Sequence, residues 1–244
     1  MQDRGPAAFI AEFIGTFALV FFITAAVSLY VVPAPGFTDF SVIGLVHVFV
    51  LFALIQTLAA ASGAHFNPAV TAAMVALRQI KPADALIYVV TQLAGAVAGA
   101  LVTKALLLDE GQATNYGATL VNEARLQGEI LPGMVAEAIG TFFLVFVIVG
   151  VAVNPRAAKD WAALSIAATL GLAVMVFAPL TGAGFNPARS FGPALVGDAF
   201  GGAKDFILVY TVAPLIGALL AALAYFNLYI APGAKGDEGM DPVG

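Results

Sequence analysis

The amino-acid sequence predicts an all-α membrane protein with six transmembrane helices, two half-helices and two inverted repeats. Three observations support this fold class: an apolar composition, six charge-free runs and a motif that occurs twice. Of the 244 residues, 61% are hydrophobic and 10% are charged, and the mean hydropathy is +0.98. Soluble domains carry about 25% charged residues. Because this number of charged residues is too small to cover the surface of a soluble protein, we expect the chain to lie in a lipid bilayer.

The same composition excludes several functional classes. The net charge of -5 comes without a basic stripe, so we predict no nucleic-acid partner. There is no cysteine, and the two histidines are not grouped with acids, so we predict no metal site and no cofactor. No nucleophile–base pair is visible, so the sequence predicts no enzyme. The first apolar stretch exceeds the core of about 7–15 residues that a signal peptide has, which indicates a retained span.

Charge-free runs locate the spans, because a membrane-crossing helix needs about 20 apolar residues. Six runs are present: Phe13–Thr38, Phe40–Leu77, Ala85–Thr103, Ala138–Pro155, Trp161–Ala188 and Phe206–Ala234. The second and fifth runs each contain an Asn-Pro-Ala motif with a glycine four residues before its asparagine, Gly63 and Gly182. Proline favours the first turn of a helix and breaks its interior, so each run predicts a full helix, a loop and a half-helix. Irregular backbone at membrane depth is tolerated where it is buried or lines a watery cavity, which indicates a pore.

These signals predict one channel domain over residues 7–230, after an N-terminal tail over residues 1–6 and before a disordered C-terminal tail over residues 231–244. The two repeats cover about residues 7–107 and 131–230, and loop 108–130 joins them. The predicted helices and half-helices are Ala7–Val32, Phe40–Ala61, Asn67–Leu77, Pro82–Leu107, Leu131–Val153, Trp161–Leu180, Asn186–Leu195 and Ala203–Tyr229.

Matched sequence blocks support the repeat. The block Ala-Glu-x-x-Gly-Thr-Phe at residues 11–17 recurs 125 residues later, and the block containing Asn67-Pro68-Ala69 recurs 119 residues later as Asn186-Pro187-Ala188. Each half holds three full spans, so the second half must enter the membrane in the opposite orientation. Inverted repeats with broken helices place the functional site at the repeat interface, near the middle of the membrane.

The two Asn-Pro-Ala motifs, Arg189-Ser190 after the second and the paired Ala-Glu-x-x-Gly-Thr-Phe blocks together resemble the aquaporin (major intrinsic protein) family over nearly the whole chain. This resemblance implies half-helices that meet head to head at the membrane centre. It also implies a homotetramer in a lipid bilayer, with one pore in each chain. The implied function is a passive water channel that excludes ions and protons.

Elementary chemistry is consistent with that function. Each helix N-terminus carries about half a positive charge, and two facing ends repel cations. The amides of Asn67 and Asn186 are expected to donate to a passing water, besides capping their helices. We expect an acceptor ladder from the carbonyls of Gly63, Ala64, His65, Gly182, Ala183 and Gly184. Glu12 and Glu137 lie inside spans; we predict that each accepts hydrogen bonds from the broken loop of its half, with a proton relay as the alternative.

The family resemblance also implies a selectivity ring, here His47, Val174, Ala183 and Arg189. Water-specific members usually carry Phe at the first position and His at the second, so this ring resembles the ammonia-permeable and tonoplast-type branch. We therefore expect water together with ammonia, hydrogen peroxide or urea. A polyol facilitator ranks lower, because Ser190 follows Arg189 and two ring residues are small. A coupled secondary transporter, the remaining alternative, would need more titrating groups in the pathway.

Charge in the loops predicts the orientation. Six spans put both termini on one side, which also receives the basic residues Arg4, Arg78, Lys81, Arg156, Lys159 and Lys235. Cytoplasmic loops carry an excess of Lys and Arg. We therefore expect a multi-pass protein of the cell membrane (plasma or inner) with both termini in the cytoplasm.

Overall fold

The computed structural model describes residues 4–31 and 38–232, and that part of the chain is helical. Six of its helices are long and apolar enough to cross a membrane, which confirms the predicted fold class. The helices are α1 Pro6–Tyr30, α2 Phe40–Ser62, α3 Pro68–Ala76, α4 Pro82–Leu106, α5 Leu108–Ala113, α6 Glu123–Leu126, α7 Ile130–Ile148, α8 Ala162–Thr181, α9 Pro187–Gly197, α10 Ala203–Ile207 and α11 Ala213–Tyr225.

The half-helices are α3 and α9, and the sequence around them explains where they begin. Each starts with proline directly after an asparagine N-cap, where the missing N–H of proline costs no helical hydrogen bond. The preceding full helices α2 and α8 end at Gly63 and Gly182, whose φ values are 86° and 76°. Glycine adopts this left-handed conformation without steric cost. The chain therefore turns back into the protein at the same point of each repeat.

Helices of the two repeats pack against each other, and each half-helix contacts a full helix of the other repeat. Full helix α1 packs on α2 and α4, and α7 packs on α8 and α11, while α2 lies against α8. The half-helix α3 of the first repeat packs on α11 of the second, and α9 of the second packs on α4 of the first. At one crossing, a Cβ at Gly217 would lie 2.2 Å from the carbonyl oxygen of Ala138, so the helices approach too closely for a side chain.

Three details differ from the sequence prediction. The segment 108–130 contains α5, a 3₁₀ turn at Asn115–Gly117 and α6, where the sequence analysis predicted only a loop. Helix α7 continues as a π-helical turn at Val149–Val153, and π-helical turns also occur at Leu208–Val212 and Phe226–Ile230. Residues 231 and 232 are still helical. The rest of the predicted disordered tail, residues 1–3 of the N-terminal tail and the predicted end of the first helix at Val32 lie outside the described residues.

Candidate functional site

The two Asn-Pro-Ala motifs meet in the interior and are joined by reciprocal hydrogen bonds. The Asn67 side-chain nitrogen Nδ2 donates to the carbonyl oxygen of Phe185 over 2.9 Å. The Asn186 Nδ2 donates to the carbonyl oxygen of Phe66 over 2.8 Å. Each asparagine therefore holds the residue just before the other asparagine, and the N-termini of α3 and α9 face each other as the inverted repeat predicts.

Both asparagines also cap their half-helices. The Oδ1 atom of Asn67 accepts from the Ala69 N–H, and that of Asn186 accepts from the N–H groups of Ala188 and Arg189. A side-chain amide has two N–H bonds, and the reciprocal bond uses one of them. The second N–H of each amide is available to a molecule in the cavity that both asparagines line.

Glu12 is fully buried and binds the broken loop of the first repeat, as predicted for a structural acid. Its Oε1 atom accepts from the Ser62 hydroxyl over 2.7 Å and from the His65 N–H over 2.9 Å. Its Oε2 atom accepts from the Phe66 N–H over 2.7 Å and from the Gln92 amide over 2.8 Å. The carboxyl group thus fixes the loop between Ser62 and Phe66 by three hydrogen bonds, and the fourth joins it to Gln92 of α4.

Glu137 makes the equivalent contacts in the second repeat. Its Oε1 atom accepts from the Thr181 hydroxyl and the Gly184 N–H, and its Oε2 atom accepts from the Phe185 N–H. The second repeat has no amide like Gln92, because the matching position is Pro214. The two loops are therefore held in the same way, with one hydrogen bond fewer in the second.

Two further pairs of residues, which the sequence did not predict, hold the loops. The hydroxyl groups of Tyr88 and Tyr210 donate to the carbonyls of Ser62 and Thr181 over 2.8 Å and 2.7 Å. The rings of Phe66 and Phe185 lie against Gly15 and Gly140, where an added Cβ would approach ring carbons to 2.0 Å and 2.1 Å. The signal was present in the repeated Gly-Thr-Phe and Gly-x-x-Phe-Asn blocks, but spacing alone does not reveal which glycine faces which ring.

Two cavities extend from opposite ends of the molecule towards the junction of the repeats. The N-terminal cavity, of about 670 Å³, is lined by residues that include Arg4, His65, Asn67, Lys159 and Asn186. The loop cavity, of about 720 Å³, is lined by residues that include Asn115, Gly117, Asn122, Arg125 and Gly182. Arg189 lines both cavities, so the two cavities approach each other at its side chain.

Two residues of the predicted ring, His47 and Val174, lie on the contacting helices α2 and α8. On α2, His47 is one turn from Ile43, which lines the loop cavity, and one turn from Leu51, which lines the N-terminal cavity. On α8, Val174 is placed in the same way between Leu170 and Ala178. Because residues four apart share a helix face, both side chains lie on the faces that border the cavities, although both are buried and neither is itself a lining residue.

The imidazole of His47 is oriented by its own helix. Its Nδ1 atom lies 2.8 Å from the Ile43 carbonyl oxygen, so we assign the proton to Nδ1 from this contact. The Nε2 atom is then an acceptor, and it has no partner among the residues that the structure describes.

The other two ring residues, Arg189 and Ala183, belong to the second broken segment. Arg189 is 3% exposed, and its Nη1 atom donates to the carbonyl oxygen of Gly117 over 3.0 Å. Ala183 is also buried, and it lies between Gly182, which lines the loop cavity, and Gly184, which lines the N-terminal cavity. Arg189 thus lines both cavities, whereas His47, Val174 and Ala183 are buried next to residues that line them, and the assignment of these four residues to one ring stays a prediction.

The predicted carbonyl ladder lies along the same path. Gly63, Ala64 and His65 line the N-terminal cavity together with Gly184, and Gly182 lines the loop cavity. The His65 ring does not point freely into the cavity, because its Nδ1 atom lies 3.1 Å from the Thr71 hydroxyl. Within residues 4–31 and 38–232, no protein donor binds the carbonyls of residues 63–65 or 182–184. These oxygens are available to a solute.

With this geometry established, comparison with known proteins identifies the family. A model of the family described as "Major intrinsic protein" matches residues 5–225. The chain belongs to the major intrinsic protein family. Members of this family are membrane channels and not enzymes, so the chain is a multi-pass membrane channel for water or small solutes. This confirms the family that the sequence motifs indicated.

Several major intrinsic proteins are similar to this chain. Glycerol uptake facilitator protein-like 6 of Lactiplantibacillus plantarum is 39% identical over 216 residues, covering 88% of this chain and 94% of that protein. Aquaporin AqpM of Methanothermobacter marburgensis is 35% identical over 240 residues, with coverages of 88% and 94%. Nodulin-26 of Glycine max is 38% identical over 223 residues, with coverages of 88% and 75%.

A solved structure shares the fold. The aquaglyceroporin from Plasmodium falciparum superposes with a TM-score of 0.78, covering 94% of this chain and 98% of that one, at 24% sequence identity. The architecture of six spans and two half-helices is therefore that of a known channel fold.

Proposed function

We propose that this protein is a passive water channel that also conducts ammonia, hydrogen peroxide and urea and excludes ions and protons. The observation that carries this proposal is the reciprocal pair Asn67 and Asn186, whose remaining amide N–H groups border the same cavity. A water molecule that accepts from both amides has its hydrogens turned outward. Such a water cannot pass a proton to its neighbour along the file.

Charge along the path supports the exclusion of cations. The described residues that line the two cavities include four cations, Arg4, Arg125, Lys159 and Arg189, and no carboxylate, although the whole chain has a net charge of -5. The positive N-termini of α3 and α9 add to this potential at the centre. A cation would lose its hydration in a region of positive potential, and this combination excludes it.

The ring supports the passage of small neutral solutes. Arg189 offers donors and the Nε2 atom of His47 offers an acceptor, while Val174 and Ala183 add apolar walls of small volume. Water, ammonia, urea and hydrogen peroxide each both donate and accept hydrogen bonds, so each satisfies the two polar groups at once. We propose on this basis that the ring is of the ammonia-permeable, tonoplast-like kind.

A polyol facilitator is the second candidate. The name of the Lactiplantibacillus plantarum relative refers to glycerol uptake, and a ring with two small residues leaves width for a larger solute. We rank glycerol below water, because the ring has no aromatic wall for the carbon chain of a polyol and Ser190 follows Arg189 in place of an acid.

We also propose a homotetramer in the cell membrane with cytoplasmic termini. Large exposed apolar side chains, such as Phe49 and Leu220, occur on the outer helix faces and suit contacts with lipid or with other copies. The basic residues Arg78, Arg156 and Lys159 lie in loops on the side of the N-terminus, as the positive-inside rule requires of a cytoplasmic face.

The decisive experiment is stopped-flow light scattering of proteoliposomes with water, urea, ammonia and glycerol in turn. We expect water and ammonia rates well above those of empty vesicles. The variant Val174→Trp should abolish the rates by filling the junction, whereas Val176→Trp, on the exposed face of the same helix, should leave them unchanged. Rates equal to those of empty vesicles for all four solutes would refute the proposal, and a glycerol rate above the ammonia rate would favour the polyol candidate.

A further inference from the structure

We propose that Tyr116, held in place by Lys104, is the positioning residue that sets the Arg189 guanidinium at the junction of the two cavities. The contact that transmits this effect is the hydrogen bond from Arg189 Nη1 to the carbonyl oxygen of Gly117, the residue next to Tyr116. The inference rests on the proposed role of Arg189 in selecting solutes. It concerns the connecting segment between the repeats, which carries no motif of its own.

The turn that presents the Gly117 carbonyl has an unusual backbone. Asn115, Tyr116 and Gly117 have φ values of 50°, 50° and 71°. Glycine adopts this left-handed region readily and asparagine does so more often than other residues, whereas a bulky aromatic residue rarely does. Such a conformation persists only where the surrounding structure enforces it.

Close packing against the surrounding helices, at points where glycine allows it, provides that enforcement. A Cβ at Gly111 of α5 would lie 2.3 Å from the Tyr116 ring, and one at Gly197 of α9 would lie 2.8 Å from the Asn115 carbonyl oxygen. Gly117 itself lies against Thr24 of α1, with its hypothetical Cβ 3.0 Å from the Thr24 Cα. The turn is thus enclosed on three sides by α1, α5 and α9.

Lys104 of α4 contacts the face of the Tyr116 ring. Its Nζ atom lies 5.0 Å from the centroid of the Tyr116 ring and donates to the Val196 carbonyl oxygen over 3.1 Å. A cation placed over an aromatic face is attracted to it, more strongly when it is shielded from water. The Tyr116 hydroxyl adds a bond of 3.3 Å to the Leu108 carbonyl oxygen. Lys104 therefore joins the ring of the turn to the end of α9, the helix whose first turn contains Arg189.

The guanidinium depends on this turn for its direction. The buried Nε atom of Arg189 has no partner within residues 4–31 and 38–232, and the Gly117 carbonyl is the acceptor that the guanidinium has there. If the turn relaxes, the carbonyl moves and the guanidinium loses its fixed orientation. The width of the junction and the direction of its donors then change, which alters the discrimination between water and larger solutes.

The test is a double-mutant cycle with the ratio of urea to water permeability as the readout. Tyr116→Leu removes the ring, and we expect the ratio to change about threefold or more, in the range found for contacting residues. Tyr116→Phe keeps the ring above Lys104 and should retain most of the parental ratio. Lys104→Met should shift the ratio in the same direction as Tyr116→Leu. The controls Tyr30→Leu and Lys204→Met remove an exposed side chain of each type in described residues near the same end of the molecule and should change nothing.

The second background, Arg189→Val, separates the two proposals. If Tyr116 acts through Arg189, Tyr116→Leu has no further effect on the ratio once the arginine is gone. The inference is overturned if Tyr116→Leu changes the permeability ratio equally in both backgrounds. It is also overturned if Tyr116→Leu leaves the ratio of the parent unchanged while Arg189→Val alters it. If Arg189→Val itself leaves the ratio unchanged, the proposed role of Arg189 fails instead. Should Tyr116→Leu not fold, Lys104→Met is measured in the same two backgrounds, with the same outcomes.

Discussion

Replacing Glu12 by alanine removes the acceptor of four hydrogen bonds from a fully buried position next to the first broken loop. The Ser62 hydroxyl and the Gln92 amide can turn towards other partners. The backbone N–H groups of His65 and Phe66 cannot turn, because the loop fixes their direction. We therefore expect Glu12→Ala to leave two backbone donors without an acceptor.

Each buried donor left without a partner costs about 1–3 kcal/mol, so the expected loss of stability is about 2–6 kcal/mol before any cavity term. The isosteric variant Glu12→Gln keeps one acceptor oxygen and replaces the other by an NH₂ group. It loses the bond to one backbone N–H, which predicts about 1–3 kcal/mol. Thermal stability should therefore fall in the order parent, Glu12→Gln, Glu12→Ala.

The measurement is the fraction of protein that remains monodisperse in detergent after heating, followed by water and proton permeability of reconstituted Glu12→Gln. If the role is structural, the folded glutamine variant conducts water at the parental rate, and its proton permeability is unchanged. Equal stability of all three proteins would refute the hydrogen-bond reasoning. A large change in proton permeability of Glu12→Gln would favour the proton relay that we ranked second.

Two further predictions concern the ring and the packing of the loops. His47→Phe removes the acceptor Nε2 and adds volume. We therefore expect ammonia and urea permeability to fall about tenfold, which corresponds to a barrier higher by about 1.4 kcal/mol, while water permeability is retained. Stopped-flow light scattering of proteoliposomes measures the three rates. Gly15→Ala places a Cβ 2.0 Å from the Phe66 ring, so we expect overpacking to cost about 1–3 kcal/mol in the heating assay.

Each of these has a control within the chain. For the ring, Phe49→Tyr lies two residues along α2 on an exposed face and should leave all rates unchanged. Unchanged ammonia and urea rates in His47→Phe would show that His47 is not in the ring. For the packing, Gly133→Ala adds a Cβ whose nearest neighbour is 3.4 Å away. It should be tolerated, so a Gly15→Ala protein as stable as Gly133→Ala would contradict the packing argument.

The fold was predictable because its signals are local. A span needs only a run of apolar residues, and an asparagine followed by proline starts a helix wherever it occurs, so α3 and α9 were found within two residues of their observed ends. The roles of Glu12 and Glu137 in binding the loops also followed from the sequence. A buried acid beside an irregular loop has few other donors to bind.

Contacts between distant residues were not predictable in this way. The reciprocal bonds of Asn67 and Asn186 depend on how two half-helices cross, and no single segment encodes that geometry. The turn at Asn115–Gly117 was predicted only as part of a loop. Its backbone conformation depends on close packing against Gly111 of α5 and Gly197 of α9, which its own residues do not reveal. The contact between the Phe66 ring and Gly15 was also not predicted, because it joins two segments that are distant in sequence.

The exchange of hydrogen bonds between the two Asn-Pro-Ala motifs has a consequence for assembly. A half of this chain synthesised alone lacks the carbonyl that orients its asparagine and the full helix against which its half-helix packs. Neither half is therefore expected to fold as an autonomous unit, despite the sequence blocks that the two halves share. Each half expressed alone should give no water permeability, whereas co-expression of the two halves should restore it.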